Sequence, residues 1–156
     1  MPRSFKSNSP DDTTPCYRVA RARAGLGLFA TVTIRRGERI VEYTGERITN
    51  DEADRRGGKY LFEINSKWTI DGKGRENIAR YINHSCKPNA ESRVVGVRVF
   101  IYAIRTIQPG EEIAYDYGEE YVEEHIEPHG CRCQSCVEKK YSRGPVRIQK
   151  NVYSRL

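Results

Sequence analysis

From residue 16 to residue 117 the chain is a succession of short β-branched and aromatic runs, each closed by glycine, proline or asparagine. No segment has the length and period of a long helix. Residues 16–22, 28–34, 40–43, 90–95, 97–104 and 112–117 read as strands, and 60–64 with 67–70 flank Asn65-Ser66 like the arms of a hairpin. Ala24-Gly25-Leu26-Gly27, Arg35-Arg36-Gly37-Glu38 and Gln108-Pro109-Gly110 read as turns. Thr49 or Asn50, with Asp51 and Glu52 behind it, caps a short helix that ends at Gly57-Gly58, and the spacing of Ile78, Tyr81 and Ile82 predicts another over 76–82. Strands and helices do not alternate regularly, which counts against a doubly wound nucleotide-binding fold. The expectation is a mainly β protein with short helices.

At 156 residues the chain has the length of one domain. Ten tyrosines and four phenylalanines make it too aromatic for a disordered chain. No apolar stretch approaches the roughly 20 residues of a membrane span, and the polar first residues do not resemble a signal peptide, so an intracellular protein is expected. The net charge of +6 is uneven: residues 25–136 carry 16 Lys/Arg against 18 acids, so the excess sits at the two ends and a basic body is excluded. Between residues 111 and 127 there are eight acids and no Lys or Arg, a surface suited to a cationic peptide or simply a solvated acidic face.

Three local patterns carry chemistry. The pair Gly25-x-Gly27 marks a turn or a close backbone approach to a ligand; with no third glycine in place it is not a nucleotide fingerprint. Asn83-His84-Ser85 matches a glycosylation acceptor only in a secreted chain, and a hydrolase of Ser85, His84 and Asp116 would need adjacent residues to face one another. Cys131, Cys133 and Cys136 supply three thiolates within six residues, and a tetrahedral zinc takes four ligands. Cys86, His129, His125 and Cys16 are candidates for the fourth. Cys86 is favoured because it would staple the C-terminal part onto the Asn83 segment, closing a long loop.

Taken together, the residues resemble the SET-domain protein-lysine methyltransferases. The matching blocks run in family order over 17–136: Gly25-Leu26-Gly27-Leu28-Phe29-Ala30, Tyr43-Thr44-Gly45-Glu46, Tyr60-Leu61-Phe62, then Asn77 through Asn89 with Asn83-His84-Ser85-Cys86 at its centre, and Gly110 through Tyr117 ending in Tyr115-Asp116-Tyr117. The cysteine-rich tail resembles the family's post-SET zinc motif, whose fourth ligand falls on Cys86. Its spacing here is Cys-x-Cys-x2-Cys, two residues shorter than the family's usual Cys-x-Cys-x4-Cys.

The resemblance implies a SET-domain fold of small β-sheets with a knot-like crossing at the active site, an exception to the rule against threading. It implies a cofactor, S-adenosylmethionine, held by Ala24, Gly25, Leu26, Gly27, Tyr60, Asn83 and His84. It implies Tyr117 as catalytic tyrosine, with Tyr115 biasing the product toward mono- or dimethylation, and Zn(2+) on Cys86, Cys131, Cys133 and Cys136. The substrate would be a lysine-bearing protein, histone-like or otherwise basic. The location would be nuclear and chromatin-bound in a eukaryote, cytoplasmic or secreted as an effector in a bacterium. The expected organisation is a flexible arm (1–15), a catalytic domain (16–122), a zinc segment (123–140) and a basic tail (141–156).

Two rival readings are a zinc-containing nucleic-acid-binding module, its basic tail holding phosphates, and a pseudoenzyme that binds lysine peptides without turnover.

Overall fold

A computed structural model describes residues 14–142. The expected arm and most of the basic tail, with Arg143, Arg147, Lys150 and Arg155, lie outside the described residues.

The strands are β1 (Tyr17–Ala22), β2 (Gly25–Ala30), β3 (Arg39–Tyr43), β4 (Glu46–Thr49), β5 (Leu61–Glu63), β6 (Trp68–Asp71), β7 (Asn83–His84), β8 (Ala90–Val95), β9 (Arg98–Ala103) and β10 (Glu112–Tyr115). Helix α1 (Asn50–Arg56) separates β4 from β5; the three-residue α2 (Glu119–Tyr121) and α3 (Gln134–Ser142) follow β10. One sheet runs β1-β2-β10-β8-β9-β3 with β7 added beside β10, and a second runs β4-β6-β5. The β-rich reading with short helices therefore holds.

Alternation in β9, whose Val99, Ile101 and Ala103 are at most 1% exposed, points one face of the large sheet inward against Leu28, Ile34, Ile82, Ile107 and Ile113. Thr49 caps α1 through its hydroxyl, which accepts the Glu52 N–H, and Gly57 ends the helix at φ 61°.

Four elements differ from the sequence expectation. The stretch expected as the turn 24–27 is mostly strand: β1 and β2 pair in register from Tyr17↔Ala30 to Ala22↔Gly25, leaving only Arg23-Ala24 to turn. Gly25 leaves that turn at φ 113°, a conformation a side chain would strain. The strand expected to end at residue 34 stops at Ala30. The strand expected over 112–117 ends at Tyr115, because the Tyr117 N–H turns aside to the His84 ring and the Gly118 N–H to the Asp116 carboxylate. The helix expected over 76–82 contracts to one 3-10 turn, Ile78–Tyr81, behind the buried Asn77, whose amide takes up the Thr44 N–H and the Gly72 carbonyl.

Candidate active site

Two chain segments far apart in sequence, 82–89 and 112–117, lie side by side at the centre of the molecule. Asn83 and His84 pair in parallel with Ala114 and Tyr115, and the Ser85 N–H donates to the Tyr115 carbonyl at 3.0 Å. Asn89, 5% exposed, stands in for a missing strand neighbour: its Oδ1 accepts the Ala114 N–H at 2.9 Å and its amide donates to the Glu112 carbonyl at 2.8 Å. Buried backbone groups are paired in this way or lost at a cost of about 1–3 kcal/mol each.

The Asn83 amide joins β2 to this pair. It donates to the Leu26 carbonyl at 2.9 Å and to the Glu112 carboxylate at 2.7 Å. Gly27 makes that approach feasible, since a Cβ there would stand 2.6 Å from the Glu112 carboxylate and 3.2 Å from the Asn83 amide. The sequence reading of Gly25-x-Gly27 thus resolves into two tasks: positive φ at the first glycine, close approach at the second.

Tyr117 sits where these elements meet. Its hydroxyl donates to the Ile82 carbonyl, and its ring is surrounded by Tyr115 (5.0 Å), Tyr121 (5.0 Å, edge-on) and His84 (5.5 Å). Burial, then the neighbouring phenols, raises the Tyr117 pKa, so the hydroxyl keeps its proton across the physiological range. Burial likewise raises Tyr115 and Tyr43. The Tyr43 hydroxyl donates to the Tyr60 carbonyl at 2.8 Å, while the Tyr60 ring carries the Arg80 guanidinium at 4.3 Å.

His84 is lowered in pKa by burial, partly offset by Asp116, which favours a neutral ring. Its Nδ1 accepts the Tyr117 N–H at 3.2 Å and its Nε2 lies 3.3 Å from the Cys86 sulfur.

An open cleft of about 1290 Å³ runs past this aromatic group, lined among others by Ala24, Tyr60, Arg80, Asn83, His84 and Tyr117. It is roomy for a small-molecule ligand, whose sites are usually about 300–1,000 Å³. Gly25, Leu26, Gly27 and Tyr115 are not among its lining residues. Gly25 and Leu26 are exposed, the Leu26 carbonyl and the bare Gly27 hold Asn83 in place, and the buried Tyr115 packs against Tyr117.

The four thiols of Cys86, Cys131, Cys133 and Cys136 lie within 4.8 Å of one another. The Cys86 sulfur is 3.8 Å from that of Cys131 and 3.6 Å from that of Cys136. A tetrahedron with zinc–sulfur bonds of about 2.3 Å has edges of about 3.8 Å, so the set is compatible with zinc. Cys133 carries a pKa lowered to about 6: burial opposes the shift, but hydrogen bonds from Ser135 and from the main chain of Cys86 and Cys136 outweigh it. The short Cys-x2-Cys spacing is accommodated because α3 starts at once, the Cys133 carbonyl accepting the N–H groups of Cys136 and Val137. Among the described residues Cys16, His125 and His129 do not join the cluster.

Several residues here were not singled out from sequence. Asn77, Asn89 and Glu112 lie inside the motif blocks, and that position is the signal by which sequence could have found them. Tyr121 had none: it stacks on Tyr117 and donates to the Lys59 carbonyl at 3.2 Å, 62 residues away. The acidic run also divides. Glu111 pairs with Arg105 and Glu112 binds Asn83, leaving Glu119, Glu120, Glu123, Glu124 and Glu127 exposed.

Residues 25–118 match the family model described as SET domain. The chain is 39% identical over 129 residues to the histone-lysine N-methyltransferase trithorax of Drosophila virilis, covering 75% of this chain and 3% of that protein. It is 42% identical over 104 residues to an H3 lysine-4 specific histone-lysine N-methyltransferase of Emericella nidulans (58% of this chain, 8% of that one). It is 36% identical over 134 residues to the histone-lysine N-methyltransferase Set2 of Drosophila melanogaster (78% and 6%). The chain thus spans only a few per cent of the length of these relatives.

Proposed function

The chain belongs to the SET-domain family, and from that premise we propose that it is an S-adenosylmethionine-dependent protein-lysine N-methyltransferase acting on basic, histone-like proteins. The observation that carries the reading is the half-buried Tyr117 phenol, held on the Ile82 carbonyl beside Asn83 and His84 at the edge of the cleft.

S-adenosylmethionine, when bound, supplies an electrophilic methyl group on a sulfonium. Ala24, Tyr60, Asn83 and His84 line the cleft in which it would lie, and Gly25, Leu26 and Gly27 would complete the set from the adjoining strand, where the Leu26 carbonyl holds Asn83. The chain's own work is to present a neutral amine in line with that methyl and to exclude water. A free lysine has a pKa near 10.4, and desolvation of the amine against the Tyr115, Tyr117 and Tyr121 rings would lower it by disfavouring the ammonium form. Tyr117, kept protonated by burial, orients the amine without acting as a strong base. Tyr115 behind it limits the room for added methyl groups, which biases the product toward mono- or dimethylation.

Cys86, Cys131, Cys133 and Cys136 would hold one zinc ion in a structural role, tying 123–140 to the catalytic domain. The exposed glutamates on that segment suit a cationic substrate tail. The names of the relatives favour a histone and hence a chromatin setting. Among the described residues no helix is long and apolar enough to cross a membrane.

The test is transfer of a radiolabelled methyl group to histones and to a panel of basic proteins, with calorimetric titration of S-adenosylmethionine. Transfer that disappears in Tyr117→Phe supports the reading. No transfer to any substrate together with no cofactor binding overturns it.

A further inference from the structure

Building on the reading of the four thiols as a zinc site, we propose that the His84 side chain is a strut between the metal ligand Cys86 and the main chain of Tyr117. Metal occupancy then helps set how the tyrosine is presented to the reacting amine. This is a positioning role for the imidazole, separate from cofactor contact.

The geometry has two ends. At one, Nδ1 accepts the Tyr117 N–H at 3.2 Å; at the other, Nε2 lies 3.3 Å from the Cys86 sulfur. The His84 side chain is 6% exposed, which shields the Tyr117 end, while Cys86 at the other end is exposed. A neutral imidazole offers one donor and one acceptor. The Tyr117 N–H is a fixed donor, so Nδ1 is the acceptor and the ring hydrogen sits on Nε2, pointing at sulfur.

Asp116 alone argues for the opposite tautomer, with its Oδ1 3.7 Å from Nδ1. That carboxylate is 61% exposed and already accepts the Gly118 N–H at 3.0 Å. A hydrogen on Nδ1 would also collide with the one on the Tyr117 nitrogen. The arrangement is therefore N–H to sulfur at one end and N–H to nitrogen at the other, joined by a rigid ring.

A metal-bound sulfur is a thiolate, and a hydrogen bond to a charged acceptor is shorter and stronger than one to a neutral thiol. The strut tightens when the metal is present. Partners of metal ligands typically change metal affinity by about 10–100-fold when removed. The Tyr117 end is where β10 has already left its ladder, so His84 is the recorded partner of that main-chain N–H.

Two substitutions in the full chain cut the strut at opposite ends. His84→Asn places an oxygen near the Nδ1 position and keeps an acceptor for Tyr117, but does not reach Cys86. His84→Gln places its amide nitrogen near Nε2 and keeps a donor to sulfur, but loses the acceptor for Tyr117. Zinc release to a metallochromic chelator, the thiolate-to-metal charge-transfer band of the Co(II)-substituted chain, and kcat and KM of the zinc-loaded chain are measured for each. His84→Asn is expected to release zinc about tenfold faster or more, with a shifted Co(II) band and the smaller loss of kcat. His84→Gln is expected to keep the native release rate and band while kcat falls about tenfold or more at nearly unchanged KM. Parallel loss of both properties in both variants, or native zinc release in His84→Asn, overturns the strut. A wild-type chain that binds no stoichiometric zinc overturns the metal reading, and the strut with it.

Discussion

The hydroxyl of Tyr117 donates to the main-chain carbonyl of Ile82, 35 residues upstream, and so locks one signature segment onto the other. Tyr117→Phe removes the donor and leaves the Ile82 carbonyl short of a partner. The stability loss should be about 1–3 kcal/mol by thermal unfolding. Methyl transfer should fall by on the order of 100-fold, because a misplacement of about 1 Å between reacting groups can cost that much. Cofactor affinity should change little, since the hydroxyl is committed to the Ile82 carbonyl. A variant with native kcat would remove Tyr117 from the chemistry.

Burial raises the pKa of Tyr43, Tyr115 and Tyr117 above the ordinary value near 10. In the unfolded chain these phenols ionise first, so above about pH 10 the unfolded state binds fewer protons and stability falls as pH rises. Below that value both states are protonated and the three make no pH-dependent contribution. Denaturant unfolding should therefore show no tyrosine-linked loss up to about pH 10 and a steep one beyond it. The tyrosinate absorbance of these three should appear only with unfolding; their ionisation in a chain that stays folded would contradict the burial argument.

The thiol cluster predicts about one zinc per chain by elemental analysis. Cys133→Ser should lose that zinc, since three remaining thiols leave a tetrahedral site incomplete. Loss of the ion should also loosen residues 131–136 from Cys86, seen as faster proteolysis of that segment. Native zinc content in the variant would remove Cys133 from the ligand set.

Tyr115 is 7% exposed and its ring lies 5.0 Å from that of Tyr117. Removing its hydroxyl enlarges the space beside the amine without disturbing the ring contact. Tyr115→Phe should shift product from mono- and dimethyl toward trimethyl lysine in mass spectra of the reacted peptide. An unchanged distribution would show that Tyr115 does not set product number.

How much of this was legible follows from where the information sits. Asn83, His84, Cys86 and Tyr117 were visible because they fall in contiguous blocks, and the structure brings those blocks together. The 24–27 turn was misread because glycines ordinarily signal turns, whereas here full pairing of β1 with β2 draws Gly25 and Gly27 into the strand. Two-residue β7 is too short to show a period, and Tyr121 acquires its place from a contact 62 residues away. Neither can be read locally. Asn89 is intermediate: its side chain substitutes for backbone pairing, a demand that only the assembled sheet creates.

Gly27 joins the strand reading to the site reading, and Gly27→Ala tests both. The added Cβ would lie 2.6 Å from the Glu112 carboxylate and 2.8 Å from the Ala22 Cβ, inside the distances that real carbons keep. Ala22 is on the paired neighbour strand and has no freedom to withdraw, so Glu112 must swing away. That movement breaks its 2.7 Å bond from the Asn83 amide, which then loses its fixed orientation toward the cleft. Gly25→Ala provides the contrast, because its added carbon meets nothing within 4 Å and the penalty is backbone strain at φ 113°. Calorimetry should show S-adenosylmethionine affinity falling at least about tenfold for Gly27→Ala, a cost of about 1.4 kcal/mol or more. For Gly25→Ala the loss should appear mainly as a lower melting temperature, from about 1–3 kcal/mol of strain. Equal cofactor affinity in both variants would show that Asn83 is not oriented through Glu112.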